Sequence, residues 1–392
     1  MRVFRFPRAV WLLGWVSLAT DSASEAIYPI LPFFLTRVLG AGTVSLGVVE
    51  GAAEAVNSIL KIWSGREADR AKRKRPLVLF GYSVSSAARP FIAITTSWPQ
   101  VFVVRLLDRV GKGVRGAPRD AMLAAWATEK NRGAIYGFHR AMDHLGAVVG
   151  PLLATAFLFF YPEHYRTLFA LTIVPGAIAV ILILLVDEPT AVDLKNRTPS
   201  ARHSVDAPAA ENRLPRQFAA FMIIMAIFTL GNSTDAFLLL RLTDVAGSAQ
   251  FVPLMWSGLH VVKATSSIFG GDWSDRAGRR AVIALGWLVY AVVYAGFAVA
   301  ATLPVLVTWF LIYGLYFGLA EGAEKALVAD LAPENRRGLA FGVYYAVQGV
   351  GALAASVLFG AIWKWHGVAA AFGVGAALAL IATVLLFVAV RR

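Results

Sequence analysis

The chain has 392 residues, of which 58% are hydrophobic and 16% charged, and its formal net charge is +13. A soluble domain carries about a quarter charged residues, so this composition excludes an ordinary soluble protein and favours a membrane protein. The lack of cysteine excludes disulfides and thiolate metal sites. The positive residues lie in short loops between apolar runs, which argues against a surface that binds nucleic acid.

Apolar segments follow one another along the chain, and about 20 apolar residues are enough to cross the hydrocarbon core of a bilayer. The first run follows a basic N-terminus without a small-residue cleavage site, so we interpret it as a retained helix rather than a signal peptide. The predicted helices, numbered in chain order, are 9–37, 44–63, 76–96, 98–118, 134–160, 166–186, 217–240, 250–270, 280–302, 304–326, 339–362 and 368–390. The sequence therefore predicts an all-α membrane protein of about twelve transmembrane helices.

A polar stretch, 187–216, separates the two sets of predicted helices. It contains four prolines and mixed charge, which is typical of a linker. We therefore predict an N-terminal six-helix bundle over 1–186, a cytoplasmic linker over 187–216 and a C-terminal six-helix bundle over 217–392.

Lysine and arginine are distributed unequally between the two ends of the predicted helices. Twenty-six lie in the segments on the side of the termini and four in the segments on the other side. By the positive-inside rule, both termini are predicted to be cytoplasmic. The expected location is a bacterial-type inner membrane, crossed many times.

The two halves repeat at a nearly constant distance. Residues 64–74 align with 270–280 at an offset of 206, and 131–137 align with 336–342 at an offset of 205. Such an offset indicates duplication of a six-helix unit. A parallel repeat of this kind places a substrate cavity between the halves, near the middle of the bilayer.

At these residues the chain resembles the major facilitator superfamily. The loop after the second predicted helix resembles the motif Gly-x-x-x-Asp-Arg-x-Gly-Arg-Arg, although Lys72 stands at the second glycine, and the second-half copy matches fully. The matching residues that the resemblance assigns to gating are Gly65, Asp69, Arg70, Arg73, Gly271, Asp275, Arg276 and Arg279. The resemblance implies two bundles related by pseudo-two-fold symmetry.

Two further segments extend this resemblance. Arg105 stands at the arginine of a second superfamily motif, where Arg109 replaces the usual glycine. In the fifth predicted helix, Gly146, Gly150 and Pro151 match the start of a helix-packing motif found in antiporter branches, whose later glycines are missing here. The export direction rests on this partial match alone.

The motif beside the second predicted helix has a physical interpretation as a gate. Asp69 can lie at a helix N-terminus, and Arg73 can pair with an acid that ends the fourth helix, such as Asp120. Such pairs would hold one mouth closed. The alternative is a topological anchor whose basic side chains face lipid headgroups.

Four acids are candidates for carrying a coupling proton. Asp21 and Glu25 lie four residues apart on one helix face, where two like charges in a low dielectric should not both ionise easily. Asp143 shares a face with His139, and Asp235 has no obvious local partner. The alternative for the first pair is hydrogen bonding to nearby serines or to a cation of the fourth helix.

The fourth predicted helix carries a charged stripe that cannot face lipid. It contains Arg105, Asp108 and Arg109, and Arg105 is the deepest. These residues, together with Glu54, His139 and Asn232, are candidates for contacting substrate or tuning a nearby charge. For His139 a structural partnership with the fourth helix is an equal alternative.

Enzyme chemistry finds no support in the sequence. Gly111 to Gly116 fits a nucleotide-binding pattern but lies in a membrane helix, and no nucleophile–base or metal-ligand spacing occurs. We therefore expect no enzyme activity, no cofactor and no metal. We expect the chain to be a monomer. Its expected partners are a small-molecule substrate, protons and the lipid bilayer, but not nucleic acid.

The preferred hypothesis is proton-coupled export of a small organic solute by alternating access. One alternative is a proton-coupled importer or exchanger of an anionic solute that uses the arginines of the fourth helix. Another is a transport-inactive membrane receptor or scaffold.

The predicted orientation can be tested directly, because the chain has no cysteine. Ser200→Cys would mark the predicted linker, and Glu163→Cys would mark the loop after the fifth predicted helix. We expect a membrane-impermeant maleimide to label Glu163→Cys in intact bacterial cells and Ser200→Cys only after the membrane is opened. Labelling in the reverse order would contradict the orientation.

Overall fold

A computed structural model describes residues 6–71, 73–126, 132–188, 215–333 and 337–389 of the chain. Most of the predicted linker, 189–214, lies outside these ranges. Asp69 and Asp275 lie within them, but their side chains are not described.

Twelve helical segments contain most of the described residues. They are α1 (Arg8–Ile27), α2 (Thr43–Arg70), α3 (Arg75–Ala88), α4 (Trp98–Trp126), α5 (Arg132–Phe160), α6 (Tyr165–Leu171 and Ile173–Leu184), α7 (Arg216–Gly231 and Ala236–Ala246), α8 (Val252–Ala277), α9 (Arg279–Val299), α10 (Leu303–Leu331), α11 (Arg337–His366) and α12 (Val368–Ala389). Short turns extend two of them: α1 through Leu31–Phe33 and Phe34–Val38, and α3 through Arg89–Ile94.

Several helices differ from the predicted segments at their ends. Helices α2, α4 and α10 run 5 to 8 residues past the predicted ends, because the prediction limited each helix to about the length that crosses a bilayer. The seventh predicted helix, 217–240, is in fact interrupted between Gly231 and Ala236. An interruption of this kind is tolerated at membrane depth only where the backbone is buried in protein or borders a cavity.

Polarity separates the helices into two groups. Eight of the described helical stretches are long and apolar enough to cross a membrane. The other four, α1, α2, α4 and α8, are 20 to 29 residues long but carry charged residues in their middle turns. Since charge cannot face lipid, these four helices must turn their polar faces toward the interior of the protein.

The two halves of the chain meet along α2 and α11 at a distance that only small residues permit. A Cβ added at Gly47 would lie 2.2 Å from the carbonyl oxygen of Ser356, and one at Gly360 would lie 2.5 Å from that of Thr43. Close helix contact through small residues is a common way of packing helices in a membrane. A second contact between the halves joins α5 and α8, where the hydroxyl of Ser257 donates to the carbonyl of Val148 at 3.0 Å.

Within the N-terminal half, the glycines of the predicted packing motif lie against α1. A Cβ added at Gly146 would be 2.6 Å from the carbonyl oxygen of Leu18, and one at Gly150 would be 2.3 Å from that of Ser22. Pro151 follows inside the same helix. The α1–α5 pair is therefore held at close range over one full turn.

Gly150→Ala should lower the stability of the protein, because its new methyl group would meet a backbone atom that cannot move alone. Overpacking of this kind costs about 1–3 kcal/mol, which should appear as a lower thermal unfolding midpoint in detergent. Gly373→Ala is the matched control, since nothing lies within 4 Å of a Cβ at Gly373. Equal midpoints for the two variants would contradict the close α1–α5 approach.

Candidate functional site

A cavity of about 490 Å³ lies between the two halves. Its wall is polar and aromatic, and both halves contribute to it. The N-terminal half contributes Glu25, Tyr28, Glu50, Gly51, Glu54, Ser58, Lys61 and Arg109, and the C-terminal half contributes Met225, Phe228, Thr229, Asn232, Ser233, Thr234, Asp235, Trp256, His260, Tyr313, Tyr316, Phe317, Glu321, Glu324, Lys325, Tyr344, Tyr345, Gln348, Ala352 and Ser356.

Arg105, a substrate candidate, is bound by a carboxylate of its own half. It donates from Nε to Glu50 Oε1 at 2.9 Å and from Nη2 to Glu50 Oε2 at 2.7 Å. Both side chains are only 4% exposed. Because this two-pronged pair occupies the guanidinium edge that an anion would need, Arg105 is a poor anion-binding group in this structure.

Asp108 occupies the core of the N-terminal half rather than the cavity wall. Its Oδ1 accepts from Arg89 Nε at 2.8 Å, and Arg105 and Arg109 approach its Oδ2 at 3.6 and 3.8 Å. Arg89 also donates to the carbonyl of Thr20 at 3.1 Å. The sequence pattern placed Asp108 in a charged stripe on one helix. It gave no indication that Arg89, at the end of α3, is the ion-pair partner of Asp108.

Two of the proton candidates, Asp21 on α1 and Asp143 on α5, are not among the residues of the cavity wall. Asp143 accepts a hydrogen bond from Ser17 and lies 3.6 Å from Nδ1 of His139, which is itself buried. Asp21 packs against α5 at Gly146. These acids and His139 therefore belong to the α1–α5 interface.

Glu25 lines the cavity and connects the two halves. Its Oε2 accepts from Nε1 of Trp256, on α8, at 2.8 Å. Nε2 of His260 lies 4.0 Å from the same oxygen, and neither ring nitrogen of His260 has a hydrogen-bond partner among the described residues. Glu25 is thus a carboxylate at the contact between the halves.

Asp235 lies at the interruption of α7 and has the partners that the sequence did not reveal. Tyr313 donates to its Oδ1 at 2.7 Å, and Lys263 Nζ lies 3.5 Å from its Oδ2. Nearby, Asn232 donates to the Tyr316 hydroxyl at 3.2 Å, and Tyr290 donates to the carbonyl of Gly231 at 2.9 Å. Tyrosines of α9 and α10 therefore satisfy groups that the interrupted helix leaves unpaired.

The two remaining candidates for contact with a substrate, Glu54 and Arg109, lie in the cavity wall. Glu54 accepts a hydrogen bond from Asn57 on its own helix at 3.1 Å. Arg109 borders the cavity, and its Nε has no hydrogen-bond partner among the described residues.

Sequence reasoning missed Glu324 as a site residue. Its carboxylate accepts from Trp287 Nε1 at 2.8 Å and from the Tyr344 hydroxyl at 3.0 Å. A signal was present in the sequence: Glu321 and Lys325 are four residues apart on one helix and pair at 2.8 Å, which leaves Glu324 without a cation on its own helix.

One end of the cavity is closed by contacts between the halves. Arg37 pairs with Asp244 at 2.5 Å, and the hydroxyls of Tyr28 and Thr234 share a hydrogen bond of 3.2 Å. These contacts lie at the end of the molecule opposite the gating motifs.

The gating motifs form only part of the predicted contacts. In the second half, Arg279 pairs with Asp330 of α10 at 3.0 Å. In the first half, Asp120 accepts from Arg119 at 3.0 Å, while Arg73 is exposed and forms no ion pair with Asp120 among the described residues. The predicted Arg73–Asp120 pair is therefore replaced by a neighbouring arginine in this structure. Arg70 pairs with Glu67 at 3.4 Å.

Twelve helices in two packed halves, with a polar cavity between them, define a membrane transporter. The pattern of the Major Facilitator Superfamily matches residues 10–260 and 218–392, and the chain belongs to this superfamily. The predicted fold, an all-α membrane protein with two six-helix bundles, is thereby confirmed, as is the prediction that the chain is not an enzyme. The bundle boundaries at 186 and 217 stay predictions.

Similarity to individual proteins extends over most of the chain. It is 32% identical over 361 residues to an uncharacterized MFS-type transporter of Methanocaldococcus jannaschii, covering 91% of this chain and 88% of that protein. It is 23% identical over 366 residues to the cis,cis-muconate transport protein of Acinetobacter baylyi, covering 90% and 87%. A crystal structure of the nucleoside transporter NupG has the same fold, with a TM-score of 0.78 at 15% identity and coverage of 97% and 98%.

Arg105→Gln should strongly destabilise the protein, because Glu50 would be left buried without its counter-ion. Breaking one side of a buried pair costs about 3–5 kcal/mol, measured as denaturant unfolding in detergent. The double variant Glu50→Gln/Arg105→Gln removes both charges and should recover much of that loss. A single variant as stable as wild type would show that the pair contributes nothing to the fold.

Proposed function

We propose that this transporter exports a small organic solute across the cytoplasmic membrane in exchange for protons. The observation that carries this proposal is the position of Glu25, a carboxylate that borders the cavity and bridges the halves through a neutral donor. A hydrogen bond from Trp256 to an ionised carboxylate is charge-assisted, and proton uptake weakens it. Protonation of Glu25 would therefore bias which mouth of the cavity is open.

Asp235 is the second coupling group in this proposal. It lies on the opposite wall from Glu25, beside the interruption of α7, and is held by Lys263 and Tyr313. Asp21 and Asp143 lie outside the wall, so we assign them to packing of α1 against α5. Membrane voltage adds about 2.3 kcal/mol per charge per 100 mV, which is enough to drive such coupling.

The export direction rests on the motif of Gly146, Gly150 and Pro151, which resembles the packing motif of antiporter branches. The cytoplasmic location of both termini rests on the positive charge at that side of the chain. With that orientation, the contacts of Arg37 and Tyr28 close the external side, and the cavity faces the cytoplasm.

A second candidate function is exchange of an anionic solute. Lys61 and Arg109 line the cavity, and one relative is named for transport of muconate. A test of this function would replace Lys61 or Arg109 rather than Arg105, because Arg105 is already hydrogen-bonded to Glu50.

The coupling proposal predicts that Glu25→Gln and Asp235→Asn lose proton-driven flux. Proteoliposomes containing the pH dye pyranine, with an imposed pH gradient, would be screened with aromatic amines, aromatic carboxylates and nucleosides. We expect a solute-dependent proton signal in wild type that falls about tenfold in either variant, in line with ordinary coupling free energies.

The matched control is Asp21→Asn, which removes an acid one turn before Glu25 on the same helix but away from the wall. It should keep most of the coupled flux. If all three variants keep full gradient-driven flux, the coupling groups are assigned wrongly. If Lys61→Gln abolishes flux of a carboxylate that wild type moves, the anionic alternative is correct.

A further inference from the structure

The three carboxylates of the C-terminal wall outnumber by one the cations that pair with them. Asp235 faces Lys263 at 3.5 Å, and Glu321 is paired with Lys325 at 2.8 Å. Glu324, in contrast, forms no ion pair among the described residues, although it is only 2% exposed. Its partners are the neutral donors Trp287 and Tyr344.

The N-terminal wall does not provide a cation that pairs with Glu324. There, Arg105 pairs with Glu50 and Arg109 approaches Asp108 at 3.8 Å, which leaves Lys61 for the remaining wall acids Glu25 and Glu54. Arg140 of α5 approaches the C-terminal wall, but its nearest acid is Glu321, at 3.9 Å, and its side chain is largely exposed. Among the described residues, Glu324 is therefore the carboxylate of this wall that has no cation as a partner.

Aromatic rings surround this carboxylate. Phe228 lies flat against Trp287, with ring centroids 4.5 Å apart and planes inclined by 9°. The ring centroids of Tyr316 and Phe228 lie 5.7 Å apart, and those of Tyr344 and Tyr345 lie 5.4 Å apart. Apart from Trp287, all of these residues border the cavity, as does Glu324.

A buried carboxylate among aromatic faces is complementary to a cation with an organic body. The ring faces attract positive charge through their quadrupoles, and a cation in the site compensates the buried carboxylate. An anion of the same size would gain nothing from the rings and would be repelled by Glu324. The single uncompensated carboxylate fits one positive charge rather than two.

We propose that Glu324, with the rings of Phe228, Tyr316 and Tyr344, forms a subsite for the charged group of an aromatic organic cation. This inference rests on the proposed function, in that it takes the cavity to be the solute site, and it specifies the class of solute. Glu324 binds the charge, and the tyrosines and Phe228 pack around the organic part.

The test uses two probes of the same shape and opposite charge, tetraphenylphosphonium and tetraphenylborate. Their equilibrium binding to the full-length protein in liposomes, without any gradient, would be measured against protein-free liposomes to subtract partition into lipid. We expect wild type to bind the phosphonium saturably and the borate not at all. Glu324→Gln should weaken phosphonium binding on the order of tenfold, as expected for loss of a charge at a desolvated site.

Asp330→Asn is the matched control, because it removes a carboxylate of the same helix that lies outside the cavity wall and is paired with Arg279. It should change phosphonium affinity by less than about threefold, as expected for a charge that is already screened by a partner. Tyr316→Leu removes a ring and leaves the partners of Glu324 in place, and it should weaken binding of the phosphonium but not its partition into lipid. This variant tests the subsite even if Glu324→Gln fails to fold.

Three outcomes would overturn the subsite: preferential binding of the borate, equal saturable binding of both probes, or phosphonium binding that neither Glu324→Gln nor Tyr316→Leu weakens. Absence of saturable binding by either probe would also overturn it. The gradient-free design separates this inference from proton coupling. Phosphonium binding that depends on Glu324, without gradient-driven flux, would support the subsite and contradict the coupling proposal.

Discussion

The cost of placing charge in a low dielectric organises the whole molecule. A charged side chain within a membrane-spanning segment must find a counter-charge, a hydrogen-bonding partner or water. Helices α1, α2, α4 and α8 carry such side chains and turn them inward. The charges that are neutralised by a neighbour, such as Arg105 with Glu50, hold helices together. Glu25 and Glu324, whose hydrogen-bond donors are neutral side chains, border the cavity.

The two halves stabilise their buried polar side chains in different ways, although their sequences repeat. The N-terminal half uses ion pairs in its core, where Arg89, Asp108 and Arg105 tie α3 to α4. The C-terminal half uses tyrosines instead: Tyr290 and Tyr294 stack with centroids 4.1 Å apart, and Tyr294 shares a hydrogen bond with Ser233. Ion pairs and aromatic stacks both fix helix positions, but only the second leaves ring faces available to a solute.

The sequence predicted the helices and the interior location of the charges, because both follow from periodicity and local composition. It did not predict which charges would pair, since the partners come from helices distant in sequence. Arg105 illustrates this limit: its depth was evident from its position in the fourth helix, but Glu50 lies 55 residues away. Asp235 is similar, because Lys263 and Tyr313 belong to other helices. Glu321 and Lys325 are a pair of the kind that spacing can predict, because they lie four residues apart on one helix.

The interruption of α7 connects the solute site to the closed end of the cavity. Residues 232–235 lie between two helical pieces, so their backbone can change without moving either piece as a whole. Within these four residues, Asn232 contacts Tyr316 beside the aromatic wall, Asp235 contacts Lys263, and Thr234 contacts Tyr28 of the other half. A solute that displaces the tyrosine contact on one side would therefore alter the inter-half contact on the other. In the proposed transport cycle, solute binding and opening would act on the same four residues, so their coupling would need no long pathway.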